Sequence, residues 1–165
     1  MQKHIRISVL IAAAFIASAL VCAAQEKDEV ITFTQAPAAV QATIKKYATE
    51  AEIKKIEKGE DDGKIVYEVA ITKSGKDSEL TIARNGKLLS VEEVIALADV
   101  PKPAQQTINA QAGTAKIETV EKVTKDGRVS YEATFAKGEK KLKVEVNANG
   151  KVLSTEDVTE VKNPK

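Results

Sequence analysis

Apolar and polar residues alternate most clearly over residues 64–73. Ile65, Tyr67, Val69 and Ile71 point one way; Lys64, Val66, Glu68, Ala70 and Thr72 point the other. A period of two is that of a strand with one buried face. Shorter runs over residues 51–58, 78–83 and 87–94 predict three more strands, with Leu80 and Ile82 inward in the second of these. Ahead of them Val40, Ile44, Tyr47 and Ala51 recur at helical spacing and predict a helix over residues 37–49, with Pro37 in its first turn. Residues 30–33 form a short apolar, strand-like lead-in.

The same pattern recurs at an offset of 64 residues without a gap: Tyr67 with Tyr131, Asp62-Gly63 with Asp126-Gly127, Asn85-Gly86-Lys87 with Asn149-Gly150-Lys151. The chain is therefore a tandem duplication. The second helix is expected from Pro101 to Ala112, with Ala104, Ile108 and Ala112 inward, Asp99 as a candidate cap and Gly113 as its terminator. Val129, Tyr131, Ala133 and Phe135 repeat the inward row. The Asp-Gly and Asn-Gly pairs read as hairpin turns, the latter as a two-residue turn with both central residues at positive φ. Each unit is thus a helix on a four-stranded antiparallel meander, an α+β fold. A unit of this size is marginal alone, so the two are expected to depend on each other, packed together or joined edge to edge.

The N-terminal residues place this fold outside the cytoplasm. Lys3 and Arg6 precede the apolar run 7–21 and the small residues Cys22-Ala23-Ala24. This is the pattern of a secretory signal peptide, cleaved near Ala24 or one residue earlier. The run is short for a membrane span, and Val21 beside Cys22 is a poor match to a lipidation site. The expected division is a signal peptide at 1–24, a first repeat at 25–93 and a second at 94–165. Cleavage removes the only Cys, His and Met, and with Lys3 and Arg6 moves the formal charge from +1 to −1. The remaining chain can form no disulfide, and its near-neutral balance leaves no footprint for nucleic acid or an anionic membrane surface.

Without His or Cys, the common general base and thiol nucleophile are missing, and no phosphate loop, dinucleotide fingerprint or zinc spacing is present. No cofactor is expected. Glu60-Asp61-Asp62 lacks the ligand alternation of a calcium loop and reads as a turn. Glu68 and Glu132 occupy equivalent strand positions and read as outward charge beside lysines rather than as a catalytic pair. The five aromatic residues beyond the leader (Phe33, Tyr47, Tyr67, Tyr131 and Phe135) all fall on core-facing rows. The opposite face, with Lys64, Glu68, Thr72, Arg128, Glu132 and Thr134, is expected to be solvated and is the candidate surface for a protein or peptide partner.

The segments around Pro37-Ala38-Ala39-Val40, Ile53-Lys54-Lys55-Ile56-Glu57-Lys58, Asp62-Gly63-Lys64-Ile65-Val66-Tyr67-Glu68-Val69 and Asn85-Gly86-Lys87-Leu88-Leu89 resemble the PepSY-like repeat, also described as beta-lactamase-inhibitor-like. Residues 125–132 and 149–153 carry the signature again. Ala36 and Val100 stand where the family often has Leu, and Ile82 and Val146 where it often has an aromatic residue. The resemblance implies the tandem fold of beta-lactamase inhibitory protein, a periplasmic or secreted location and no catalysis. The expected function is a non-catalytic binding module, inhibitor-like in its sharper version. The alternatives are an envelope-associated structural protein or a carrier of a small ligand between helix and sheet.

Overall fold

The computed structural model describes residues 28–159. The expected signal peptide and its cleavage site lie outside them. The alternating pattern forms strands β1 (Glu29–Val30), β2 (Ile53–Asp61), β3 (Lys64–Lys73), β4 (Lys76–Ala83) and β5 (Leu88–Val94), then β6 (Ile117–Lys125), β7 (Arg128–Lys137), β8 (Lys140–Asn147) and β9 (Val152–Asp157). The helices are α1 (Ala38–Tyr47) and α2 (Lys102–Ala112).

The strands do not form two four-stranded sheets, as a helix-on-sheet unit repeated twice had implied. They form one antiparallel sheet of nine, in sequence order from β1 to β9. The join is β5 with β6, from Ser90↔Lys125 to Val94↔Glu121. Each unit alone would end in an open edge of unpaired backbone groups, and this pairing satisfies both. Residues 30–33 are not a four-residue strand either. β1 takes only Glu29 and Val30, and a 3-10 turn over Phe33–Gln35 follows.

Both helices pack on the same face. Val40 and Ile44 of α1 cluster with Tyr67, Val69, Leu80 and Ile82; Ala104 and Ile108 of α2 cluster with Tyr131, Phe135, Val144 and Val146. The inward rows are as the alternation predicts, with three exceptions. Tyr47 and Ala51 are not in the core, because α1 ends at Tyr47 and the extended Ala48 enters it instead. Val129 is also exposed, near the start of β7. At α2, Pro101 is the capping residue and Asp99 belongs to a preceding 3-10 turn, while Gly113 ends the helix at φ 64°.

A paired clasp ties each helix to its sheet. Thr43 Oγ1 donates to the carbonyl of Gly86 at 2.7 Å, and Thr107 Oγ1 donates to that of Gly150 at 2.7 Å. Gly86 and Gly150 have φ of 84° and 82°. A side chain on either would stand 2.6 Å from a helix carbonyl oxygen, that of Ala39 or Pro103. Glycine is required there twice over, by the left-handed backbone and by the close approach. In each Asn-Gly turn only the glycine has positive φ, so these are not the two-residue turns expected. That geometry falls on Asp62-Gly63 and Asp126-Gly127, where both residues do.

Candidate functional site

The helix-free face of the sheet carries the polar halves of the strands. The register places Glu68 opposite Thr81, Thr81 opposite Ser90, Glu92 opposite Val123, and Glu121 opposite Glu132. This face is not solvated as expected. Glu92 is 7% exposed, Glu132 9%, Thr134 7% and Lys143 9%, yet no helix among the described residues lies on them. Ser90, Ser130, Thr81, Val66 and Val123 are buried there too. We read this burial, with no covering element among the described residues, as a cupped sheet whose long neighbouring side chains shield its middle. The reach of Lys143 agrees. It sits on β8, yet its Nζ stands 3.7 Å from Glu121 Oε2 on β6, two strand spacings away, about 10 Å in a flat sheet.

At the bottom of the cup, carboxylates of both repeats meet across the β5–β6 join. Oxygens of Glu92, Glu121 and Glu132 lie within 4.8 Å of one another. Lys143 Nζ stands 2.9 Å from Glu132 Oε2 and 3.7 Å from Glu121 Oε2. The first is a charge contact, and Glu132 Oε2 is buried without a hydrogen bond of good geometry, as is Ser90 Oγ. Burial raises the Glu92 carboxyl to about 8, repulsion from Glu132, Glu79 and Glu121 adds to it, and Lys143 opposes. Burial likewise raises Glu132, against the attraction of Lys143. Burial and Glu121 raise Glu79. For Lys143 burial disfavours the charge, but Glu132, Glu121 and Glu92 outweigh it and the net shift is upward. The three clustered carboxylates have the spacing to share a cation, and the Lys143 ammonium already supplies positive charge beside them.

The six residues singled out from the sequence all fall on this face but not in one place. Glu132 and Thr134 lie at its buried centre. Glu68 is half-buried on β3, while Lys64 and Arg128 are exposed at strand starts. Thr72 Oγ1 donates to Asp77 at the β3–β4 turn. The sequence reading missed Glu79, Glu92, Glu121 and Lys143. One signal for them was available: positions 79 and 143 are equivalent in the duplication, yet one is Glu and the other Lys.

The family model described as "Putative beta-lactamase-inhibitor-like, PepSY-like" matches residues 22–90 and again 91–154. The chain belongs to the PepSY-like family. Solved structures with the same fold include a BLIP-like protein from Bacteroides fragilis, at 16% identity and a TM-score of 0.59, covering 79% of this chain and 92% of that one. A protein from Bacteroides eggerthii titled "putative periplasmic" matches at 18% identity and a TM-score of 0.64, covering 78% and 93%. A DUF2874 family protein from Bacteroides uniformis matches at 17% and 0.63, covering 78% and 94%. The curated proteins offer no match. No helix among the described residues is long and apolar enough to cross a membrane.

The cluster gives this PepSY-like chain an unusual pH response. The folded-state value of Glu92 lies above its ordinary 4.5, so the native state keeps a proton that the unfolded chain releases. Stability from this group is full below 4.5 and is lost as pH rises to about 8. Glu79 and Glu132 act in the same direction. The melting temperature is therefore expected to fall across that window, and Glu92→Gln to flatten the fall. Thermal melts at both ends of it check this; an unchanged slope in the variant would reject Glu92 as the titrating group.

Proposed function

We propose that the chain is a non-catalytic binding module acting in the periplasm or outside the cell after removal of residues 1–24, and that it receives a protein partner on the helix-free face. One observation carries this reading: a cupped, polar face whose buried carboxylates outnumber the charge that balances them. Side chains are costly to bury in this state, and their retention is consistent with a surface used for recognition. The carrier reading has less support. A cavity of about 560 Å³ lies on the helix-free side, lined by Glu121, Thr134 and Lys143 among others. Between helices and sheet, Val40, Ile44, Leu80 and Ile108 are fully buried. Family likeness favours a binding role, and the inhibitor version rests on that likeness alone.

The test is retention. The chain from Gln25 would be immobilised and exposed to the periplasmic and secreted proteins of its source, and retained proteins identified by mass spectrometry. A specific protein whose retention fails with the Glu132→Gln face variant supports the module reading. A hydrolase that loses activity on binding supports its inhibitor version. If nothing specific is retained, or retention ignores the face, the reading is wrong.

A further inference from the structure

We propose that the acidic cup takes a basic side chain, an Arg or Lys projecting from the protein partner, between Glu92 and Glu79. The inference rests on the binding-module reading and adds the chemistry of the partner. Its first support is charge complementarity. Glu79, Glu92, Glu121, Glu132 and Glu145 all project from the helix-free face of adjacent strands: Glu79 faces Glu92, Glu121 faces Glu132 and Glu132 faces Glu145, with a stagger of two residues across the β5–β6 join. One buried cation, Lys143, faces them, and its contacts go to Glu132 and Glu121. Among the described residues Glu92 and Glu79 have no cation at ion-pair distance; they lie on the first-repeat side of the cluster, and Lys143 acts on them through space without pairing with either.

Its second support is independent of the count of acids. Glu92 is more than nine-tenths buried, and its carboxylate lies within 4.8 Å of those of Glu121 and Glu132. Ser90, two residues earlier on the same face, is 3% exposed and its hydroxyl has no hydrogen-bond partner. The buried, unpaired Ser90 hydroxyl and the Glu92 carboxylate beside it on one strand are acceptors for a donor that the described residues do not supply. A guanidinium, with several N–H donors in a planar fork, satisfies both at once; an ammonium satisfies them less completely. The neighbouring lysines do not compete for that place. Lys55, which acts on Glu79 from β2, pairs with Glu57, and Lys141 pairs at 3.0 Å with Glu118 at the far end of the face.

A cation between Glu92 and Glu79 favours their ionised forms, so entry of the basic side chain displaces a proton. Affinity should then rise with pH through about 8, above which free Glu92 is already ionised. This sets the inference apart from ordinary surface attraction, which depends on salt and hardly on pH in this range.

The experiment is an NMR titration of the isotopically labelled chain from Gln25 to Lys165. The probe is acetyl-Gly-Arg-Gly-amide, with acetyl-Gly-Glu-Gly-amide and calcium ions alone as comparisons. The expected result is amide shifts concentrated on β4 to β7, absent with the Glu peptide, and weakened about tenfold in Glu92→Gln, as loss of one member of a desolvated charge pair implies. Because the Glu92→Gln amide keeps the shape of the protonated carboxyl, that variant should fold, and its spectrum checks this directly. Shifts scattered over the surface, no shifts up to the solubility of the peptide, or calcium reproducing the shifts while the Arg peptide does not would each overturn the inference. A partner recovered by retention that binds Glu92→Gln as well as the unaltered chain would also overturn it, while leaving the binding-module reading intact.

Discussion

Replacing Lys143 with Met is expected to cost about 3–5 kcal/mol of stability at or above pH 8, and far less near about pH 5. Lys143 Nζ is the one cation within contact of Glu132 and Glu121 among the described residues, at 2.9 and 3.7 Å. Met keeps the length and apolar stem and removes the charge. Above the raised titration range of Glu92 and Glu132 those two carboxylates are ionised, buried and unbalanced. Below that range they bind protons, repulsion fades and the missing ammonium matters little. Denaturant unfolding at the two pH values measures the difference. Equal losses at both would mean that Lys143 acts through packing. A second variant, Glu132→Gln in the Lys143→Met background, should recover a large part of the loss, since it removes the charge that was left behind. The coupling between the two sites in that cycle isolates the pair itself.

The second large effect belongs to the clasps. Gly150→Ala and Gly86→Ala are each expected to cost about 2–4 kcal/mol. Two causes add. The left-handed backbone alone costs an alanine about 1 kcal/mol, and the new carbon would stand 2.6 Å from a helix carbonyl oxygen, so helix and hairpin must separate. Separation also strains the Thr107 or Thr43 bond that holds them, worth about 1 kcal/mol. Gly75→Ala is the control. Its φ is 76°, but nothing lies within 4 Å of the added carbon, so only the backbone cost applies. If Gly75→Ala proved as damaging as Gly150→Ala, the close approach would not be what matters. Because the nine strands form one sheet, each clasp variant should also lower a single unfolding transition rather than split it. Two transitions would show that the repeats fold as separate units.

Much of this architecture was legible in the residues. Strand alternation is a local property. The row Ile65, Tyr67, Val69 and Ile71 could be assigned to one face because neighbouring side chains on a strand must point opposite ways. The duplication at an offset of 64 was legible for a similar reason: both copies meet the same turns and helix ends, so the same residues recur. Even the helix–hairpin clasps were foreshadowed, since Thr43 and Thr107, like Gly86 and Gly150, are equivalent positions.

The candidate site was not legible, because it depends on what lies beside a strand rather than along it. Alternation put Glu132 on the helix-free face correctly and left it in water. Its burial comes from the cupping of a sheet that continues past the first repeat, and its partner Lys143 is set by the pairing of β7 with β8. Glu92 meets Glu121 and Glu132 only because β5 pairs with β6, a contact between units. A shift of one residue in that register would turn Glu92 to the opposite side of the sheet relative to its neighbours. The order of residues thus determined which side chains share a face within each strand, where the chain turns and that the unit is repeated. Register and curvature across the join decided that the two copies make one sheet, and that carboxylates of both repeats and one lysine meet in a place shielded from water.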